Sequence, residues 1–376
     1  MSSGATRKIE YLSLERQHAA LATELEEAVT RVVRGSERDA RAVLAEFEHC
    51  LAGYCGTRHA ICTACGTDAL EIGLSTLNLP KGTEVITAAF GFFSTVAAIL
   101  RAGLTPVLVD VDARTFNLDP ERIRSAVTAY TRVVVPVHLF GGAADLTSIT
   151  GIASECSLAV IEDAAQALGT IAAGRSAGTI GMLGCLSFNW SKNLATMGNG
   201  GALLTDDDEL ARRARILQNY GMSTLFNHAR IGLNSKLDSL EASVLLVKIG
   251  QLESWNTRRR AIASRYTALL EDLPEVGTPS TPCGRAHTYH KYTICAEDRD
   301  GLREHLAAKG IETLVFYPLP LHQQPCFAGL VRTGPGGVDT AERLARCVIS
   351  LPIYPELDDE EVEYVASEVR RFYRAS

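Results

Sequence analysis

Leu186-Ser187-Phe188-Asn189-Trp190-Ser191-Lys192-Asn193-Leu194, followed by Gly198-Asn199-Gly200-Gly201, is the stretch on which the reading of this chain turns. The apolar run Met182 to Phe188 predicts a strand that delivers the Ser187 hydroxyl and the Lys192 amine into a turn. A glycine cluster and a second apolar run, Ala202 to Thr205, follow it. A lysine held among apolar neighbours gives up its proton and attacks an aldehyde, which is what a Schiff-base cofactor requires. Taken alone, a lysine after a strand is more often a solvated surface residue, so its meaning depends on the rest of the chain.

Working outward, strands and helices alternate. Glu84 to Thr87, Pro106 to Val111, Arg132 to Val137 and Leu158 to Asp163 read as strands, with helices around Thr95 to Ala102 and Leu146 to Cys156 between them. Continuous apolar strands separated by helices predict an α/β fold with a mostly parallel sheet covered on both faces. In such sheets ligands bind beyond the carboxyl ends of the strands. Upstream, Leu14 to Arg34 and Ala40 to Leu51 have helical periodicity, with Leu44, Phe47 and Leu51 on one face. Downstream, Asn234-Ser235-Lys236-Leu237-Asp238 suits a helix start, and a long helix is expected through Val247 and Trp255 to about Leu270.

Pro274 to Cys283, rich in Pro, Gly, Ser and Thr, marks the turn into a second unit. There a strand over Tyr289 to Cys295, a helix over Arg299 to Lys309, a strand over Glu312 to Phe316, a helix over Val338 to Val348 and a last helix from Asp359 are expected. The reading is a large domain over residues 1–250, with an N-terminal helical segment, and a smaller C-terminal α/β domain over 251–376.

At 376 residues the chain exceeds one ordinary core. A hydrophobic content of 46% and a charged content of 22% describe a globular enzyme. The net charge of −7 argues against a nucleic-acid partner, and Arg258-Arg259-Arg260 reads as one solvated helix face. The polar start, Met1 to Glu10, has no signal-peptide pattern, and the apolar stretch Ser94 to Leu104 is interrupted by Arg101 and too short to span a bilayer. A cytoplasmic protein with no membrane partner is expected. Its ten cysteines then read as small buried hydrophobes. Cys62-Thr63-Ala64-Cys65 lacks the second pair or nearby histidine of a zinc set, so no metal is expected.

Four features fall where a cofactor would sit. Gly66-Thr67-Asp68-Ala69-Leu70 opens a helix whose free N–H groups form an anion site, although Thr67 or Asp68 also suits a plain N-cap. Phe90-Gly91-Phe92-Phe93, just past a strand, offers an aromatic to stack on a flat ring. Glu162-Asp163-Ala164-Ala165-Gln166 ends a very apolar strand with two acids and an amide, and a carboxylate there needs a partner to offset desolvation. Ser187 and Lys192 are the fourth. Pyridoxal phosphate presents the matching phosphate, ring, ring nitrogen and aldehyde.

These motifs resemble the DegT/DnrJ/EryC1/StrS family of fold-type I aminotransferases. The resemblance extends through Pro106 to Asp112, Val135 to Gly141, Asn199-Gly200-Gly201, Gly232 to Ser235 and Tyr317 to His322. It implies that Lys192 bonds the cofactor's aldehyde carbon and then moves the proton on and off substrate. It further implies Asp163 for the ring nitrogen, Gln166 for the ring hydroxyl and Phe92 for the ring stack, with Phe90 as the alternative. Gly66, Thr67 and Ser187 would hold the phosphate, together with Asn234 of the partner subunit in a homodimer with shared active sites. Tyr220, Tyr317 and His322 stand as substrate-side candidates, while His138 also suits a core histidine.

The implied reaction is ping-pong: glutamate donates the amino group, and a ketone of a nucleotide-linked sugar, dTDP-, UDP- or GDP-linked, accepts it. The segment Thr313 to Pro318 leans toward amination of hexose ketones at C3. A cyclitol ketone, a pyridoxamine-dependent sugar dehydratase and a non-catalytic regulator are the alternatives, and Lys192 argues against dehydratases that carry histidine in its place. One departure from the family is the charged stretch Arg31 to Arg41, read as a loop, where relatives carry an aromatic beside the sugar pocket.

Overall fold

The computed structural model describes residues 8–282 and 285–375; Met1 to Arg7 of the polar start and Cys283 of the predicted turn lie outside the described residues. In chain order the strands that matter here begin with β1 (His59–Thr63), β2 (Glu84–Ala88), β3 (Thr105–Val109) and β4 (Thr131–Val135). β5 (Ala159–Asp163), β6 (Leu183–Ser187) and β7 (Gly201–Thr205) follow, then β8 (Val276–Gly277), β9 (Tyr292–Ala296), β10 (Arg332–Thr333) and β11 (Val348–Leu351). The large sheet has the order β1-β7-β6-β5-β4-β2-β3-β10. β7 runs antiparallel to both neighbours and every other pairing is parallel, so the sheet is mixed but mostly parallel.

Alternation within the apolar runs explains how both faces are covered. Val133 and Val135 of β4 pack on one side with Ile161, Leu183, Leu203 and the helix residues Leu70, Leu74 and Ile99. Val134 points the other way, into a core with Ile86, Leu108, Ile149 and Leu344. The arrangement places the carboxyl ends of β1, β2, β5 and β6 on one edge, where the amino end of the reversed β7 also lies, Gly201 facing both Thr63 and Ser187.

A second sheet, β8-β9-β11, is antiparallel and packs against helices Leu252–Leu270, Arg299–Ala308 and Asp359–Ala375 around Ile262, Tyr266, Tyr292, Ile294, Leu306 and Ile349. Two segments cross between the layers: β10 pairs with β3 in the large sheet, and Ile9 joins the second core and bridges Ile311.

Several local expectations are corrected. The helix expected from Asp238 to Leu270 is two, Ser239–Ile249 and Leu252–Leu270, parted at Gly250-Gln251, where glycine disfavours helix continuation. Leu14 to Arg34 likewise divides at Leu21. Glu312 to Phe316 forms no ladder, only the isolated bridge of Leu314 with Ser350. Arg31 to Arg41 is not a loop. Helix Ala22–Arg34 ends in it, and helix Glu37–Cys55 begins in it under a capping box in which the Ser36 side chain accepts from Asp39 N and the Asp39 side chain accepts from Ser36 N.

Candidate active site

The carboxyl edge of the large sheet opens into a cavity of about 570 Å³. Gly66, Thr67, Phe92, Asp163, Gln166, Ser187, Lys192 and Tyr317 all line it. Three positions read from sequence lie elsewhere. The His322 Nε2 meets Glu342 Oε1 at 3.0 Å. Tyr220 and Asn234 are exposed on the segment that also carries the exposed Leu225, Phe226 and Ile231.

Glycines bring the helix Gly66–Thr76 against the sheet edge. A Cβ on Gly66 would stand 2.8 Å from the Ser187 Cβ, and one on Gly201 would stand 2.5 Å from the Cys65 carbonyl carbon. The helix start therefore closes onto β6 and β7 only without side chains there. Gly66 and Thr67 at the helix start line the cavity together with Ser187, and a helix N-terminus with hydroxyls beside it is suited to an anion. The Thr67 Oγ1 donates to Ser94 Oγ at 2.8 Å. The cap of this helix is neither Thr67 nor Asp68 but Cys65, whose Sγ accepts from Asp68 N at 3.4 Å.

The two acids that end β5 part company because successive strand residues face opposite ways. Glu162 points away from the cavity and is fully buried; burial pulls its pKa up, but the His138 bond and charge and the N–H groups of Gly181 and Gly178 outweigh this and hold it below the ordinary value. The His138 Nε2 lies 2.9 Å from Glu162 Oε2, while its Nδ1 accepts from Ala144 N at 3.0 Å, so His138 is a satisfied core histidine. Asp163 faces the cavity. Burial raises its pKa, opposed by the Thr95 hydroxyl, which donates to Oδ2 at 2.6 Å, and by Ala165 N, which donates to Oδ1 at 3.2 Å. A carboxylate so placed suits a protonated ring nitrogen.

Burial also pushes the Lys192 amine down to about 8, partly offset by the Asp163 charge. Burial thus gives Lys192 the surroundings in which a lysine amine can lose its proton. The Gln166 Oε1 accepts from Phe140 N at 2.9 Å, leaving Nε2 to donate to the Tyr317 hydroxyl at 3.2 Å. Of the two aromatics considered for stacking, Phe90 is fully buried, its ring centre 6.2 Å from that of Tyr317 at an interplanar angle of 65°, while Phe92 is 51% exposed and lines the cavity.

The cavity also holds residues that the sequence did not single out: Tyr11, Ser94, Arg259, His290, Lys291 and Phe316. Arg259 corrects the reading of Arg258 to Arg260 as one solvated face. Three consecutive helical residues span about 200°, and the middle one here is only 3% exposed. It falls in register with Leu252, Trp255, Asn256, Ile262, Ala263 and Tyr266 on the buried face of its helix, a periodicity that was available in the sequence.

Residues 20–370 match the model of the DegT/DnrJ/EryC1/StrS aminotransferase family. The chain is 41% identical to the pleiotropic regulatory protein of Geobacillus stearothermophilus, over 96% of this chain and 98% of that one. It is 38% identical to the dTDP-3-amino-3,4,6-trideoxy-alpha-D-glucose transaminase of Streptomyces venezuelae, over 99% and 98%. Among solved structures, an aminotransferase of this family from Brucella abortus superposes with a TM-score of 0.92 at 35% identity, covering 97% of this chain and 99% of that one. A Bacillus subtilis protein solved with its bound cofactor pyridoxamine phosphate gives a TM-score of 0.88 at 30% identity, over 100% and 87%. The chain belongs to the DegT/DnrJ/EryC1/StrS aminotransferase family and is a transaminase dependent on pyridoxal phosphate.

Proposed function

We propose that this enzyme transfers the amino group of glutamate to a keto group, at C3, of a nucleotide-linked hexose. The observation that carries the reading is the gathering of Lys192, Asp163 and the Gly66-Ser187 cradle around one cavity. The nucleotide-sugar class rests on the Streptomyces venezuelae relative, which covers almost the whole chain.

In this reading Gly66, Thr67 and Ser187 would hold the cofactor phosphate, Asp163 would keep the ring nitrogen protonated, Gln166 would bond the ring hydroxyl and Phe92 would stack on the ring. The cofactor supplies an electron sink that makes the substrate's C–H bond acidic. Lys192 would hold the cofactor by its aldehyde carbon, and its amine would move the proton at the substrate carbon. Proton transfer by a positioned group contributes roughly 10²- to 10⁴-fold. Tyr317, bonded to Gln166, stands on the substrate side, and the ion-paired His322 is left out of the site.

Asn234 is assigned to the phosphate of a neighbouring site, as Asn234 of the partner subunit in a homodimer. The exposed Leu225, Phe226 and Ile231 on the same segment support that assignment, since apolar side chains grouped on a surface favour a protein partner. We place the boundary between the two units near residue 250, where the helix breaks at Gly250-Gln251. We place the enzyme in the cytoplasm; among the described residues no helix is long and apolar enough to cross a membrane.

The similarity to a protein named as a regulator favours a second reading, a non-catalytic homologue. The retained Lys192 and Asp163 speak against it. The test is the glutamate half-reaction followed by absorbance. Conversion to the pyridoxamine form and amination of a dTDP- or UDP-linked 3-ketohexose support the proposal; no conversion by glutamate overturns it in favour of the regulator. Amination of a cyclitol ketone alone overturns the sugar assignment.

A further inference from the structure

Beyond Lys192, the cavity wall carries two more cations, Arg259 and Lys291, against a single acid, Asp163. Both are deeply buried, at 3% and 6% exposure. The Lys291 Nζ lies 3.7 Å from the centre of the Phe316 ring and 3.4 Å from the Tyr11 hydroxyl, and its backbone N–H donates to Phe140 O at 3.2 Å. Among the described residues no carboxylate pairs with Lys291. The Arg259 Nη1 donates to Ile353 O at 2.8 Å and Tyr289 O at 3.3 Å, while its buried Nε has no hydrogen-bond partner. Beside them His290 is buried, with its Nδ1 also unpartnered.

A buried cation without a counter-ion is costly, and structures that retain one pair it with something; Arg259 has the charge of Glu356 to favour its ionised form, whereas only the positive charges of Lys192 and Arg259 act on Lys291. The proposed cofactor contacts do not use this pair. The phosphate belongs to the Gly66 and Ser187 end, the ring nitrogen to Asp163, and Lys192 to the aldehyde carbon. What remains for Lys291 and Arg259 is an anion on the substrate. An amino acid donor necessarily carries one, because its carboxylate sits on the same carbon as the amine that reaches Lys192. The group that takes this carboxylate must therefore stand near Lys192, and Lys291 lines the same cavity; burial first, and then the charges of Lys192 and Arg259, hold its amine well below the ordinary lysine value, so an incoming carboxylate would favour its charged form.

We propose that Lys291, backed by Arg259, binds the α-carboxylate of the amino donor and so orients the donor's C–H bond toward Lys192. The proposal rests on the transaminase reading above and names the donor subsite within it. The sugar acceptor has no carboxylate at its reacting carbon, so the two half-reactions should depend on Lys291 unequally.

The test loads wild-type, Lys291→Gln and Lys291→Arg enzymes with pyridoxal phosphate and starts both half-reactions from that same form. One arm uses L-glutamate, and the other a dTDP-linked 3-amino-hexose run in reverse. For Lys291→Gln the expected result is a loss of at least roughly tenfold in apparent affinity for glutamate, with the amino-sugar arm within about threefold of wild type. Lys291→Arg should recover most of the glutamate affinity. Calorimetry of 2-oxoglutarate binding to the pyridoxamine-loaded enzymes should show the same ordering without turnover. An unchanged visible spectrum of the loaded variants would show that the cofactor site is intact. Equal losses in both arms, a loss confined to the amino sugar, or no loss overturns the proposal. Failure of the wild-type enzyme to react with glutamate overturns the transaminase reading instead, so the two failures are distinguishable.

Discussion

The Thr95 hydroxyl donates a 2.6 Å hydrogen bond to Asp163, the one acid among the described residues that lines the cavity. The bond favours the ionised carboxylate, while burial disfavours it more strongly and raises the Asp163 pKa. Between the unfolded value and this raised one, the native state binds the extra proton, so stability falls as pH rises through that window and the cost is fully present above it. Asp163→Asn should therefore raise the melting temperature of the cofactor-free protein at neutral pH. In the loaded enzyme the same change should slow the glutamate half-reaction by roughly 10²-fold, the scale of losing one preorganised electrostatic group. Calorimetric melting and single-turnover absorbance measure the two sides, and an unaltered half-reaction would remove Asp163 from its role.

Thr95→Val tests the support of that carboxylate. A hydrogen bond to a charged group contributes about 1.5 to 3 kcal/mol. Its loss should raise the Asp163 pKa further and weaken pyridoxal phosphate binding, with Thr95→Ser recovering most of the affinity. Equilibrium titration of cofactor into the apoenzyme is the measurement.

Lys192 sets the pH dependence of cofactor capture. With its pKa lowered to about 8, the free-amine fraction rises with pH and levels above that value. The rate at which the apoenzyme acquires the absorbance of lysine-bound pyridoxal phosphate should follow this curve, about one-tenth of its plateau at pH 7. An ordinary exposed lysine would still be rising at pH 10. Lys192→Ala should abolish both that absorbance and turnover.

Gly66→Ala places a methyl group 2.8 Å from the Ser187 Cβ. Overpacking of this kind costs roughly 1 to 3 kcal/mol, and here it would push the helix start off the phosphate cradle. Cofactor affinity should fall by about tenfold or more, and a second change, Ser187→Gly, should relieve the clash without restoring the lost hydroxyl. Wild-type affinity in Gly66→Ala would count against the cradle.

His138 and Glu162 form a buried pair on the far side of β5. With the His138 Nδ1 accepting from Ala144 N, the contact is a hydrogen bond from Nε2 to a carboxylate, which contributes about 1.5 to 3 kcal/mol, and its loss is softened here by the three backbone N–H groups that still bond Glu162. His138→Ala should lower the melting temperature measurably. The depressed Glu162 pKa adds an acid limb: its contribution is present above the ordinary carboxylate value and is lost as pH falls through the folded one.

The order of strands and helices in the large sheet was legible because fully buried parallel strands are short apolar runs between helical periods, as in Thr131 to Val135 and Ala159 to Asp163. That Gly66, Asp163, Ser187 and Lys192 line one cavity was legible for a related reason. Gly66, Asp163, Ser187 and Lys192 follow strand ends or open a helix, positions that local pattern marks. Breaks such as Gly250-Gln251 and the absent ladder at Glu312 to Phe316 were not, because whether a segment continues depends on the partners it finds.

The sequence by itself determined the α/β class, the family and the lysine, since these reside in local periodicity and in residue types that have few structural explanations. Tertiary structure alone decided which of Glu162 and Asp163 faces the cavity, that Phe92 and not Phe90 lines it, and that Arg259 and Lys291 line the same cavity as Lys192. Those outcomes depend on pieces more than 60 residues apart being packed into one water-poor space, as the Thr95 and Asp163 contact across 68 residues shows, and burial there changes what each charge can do.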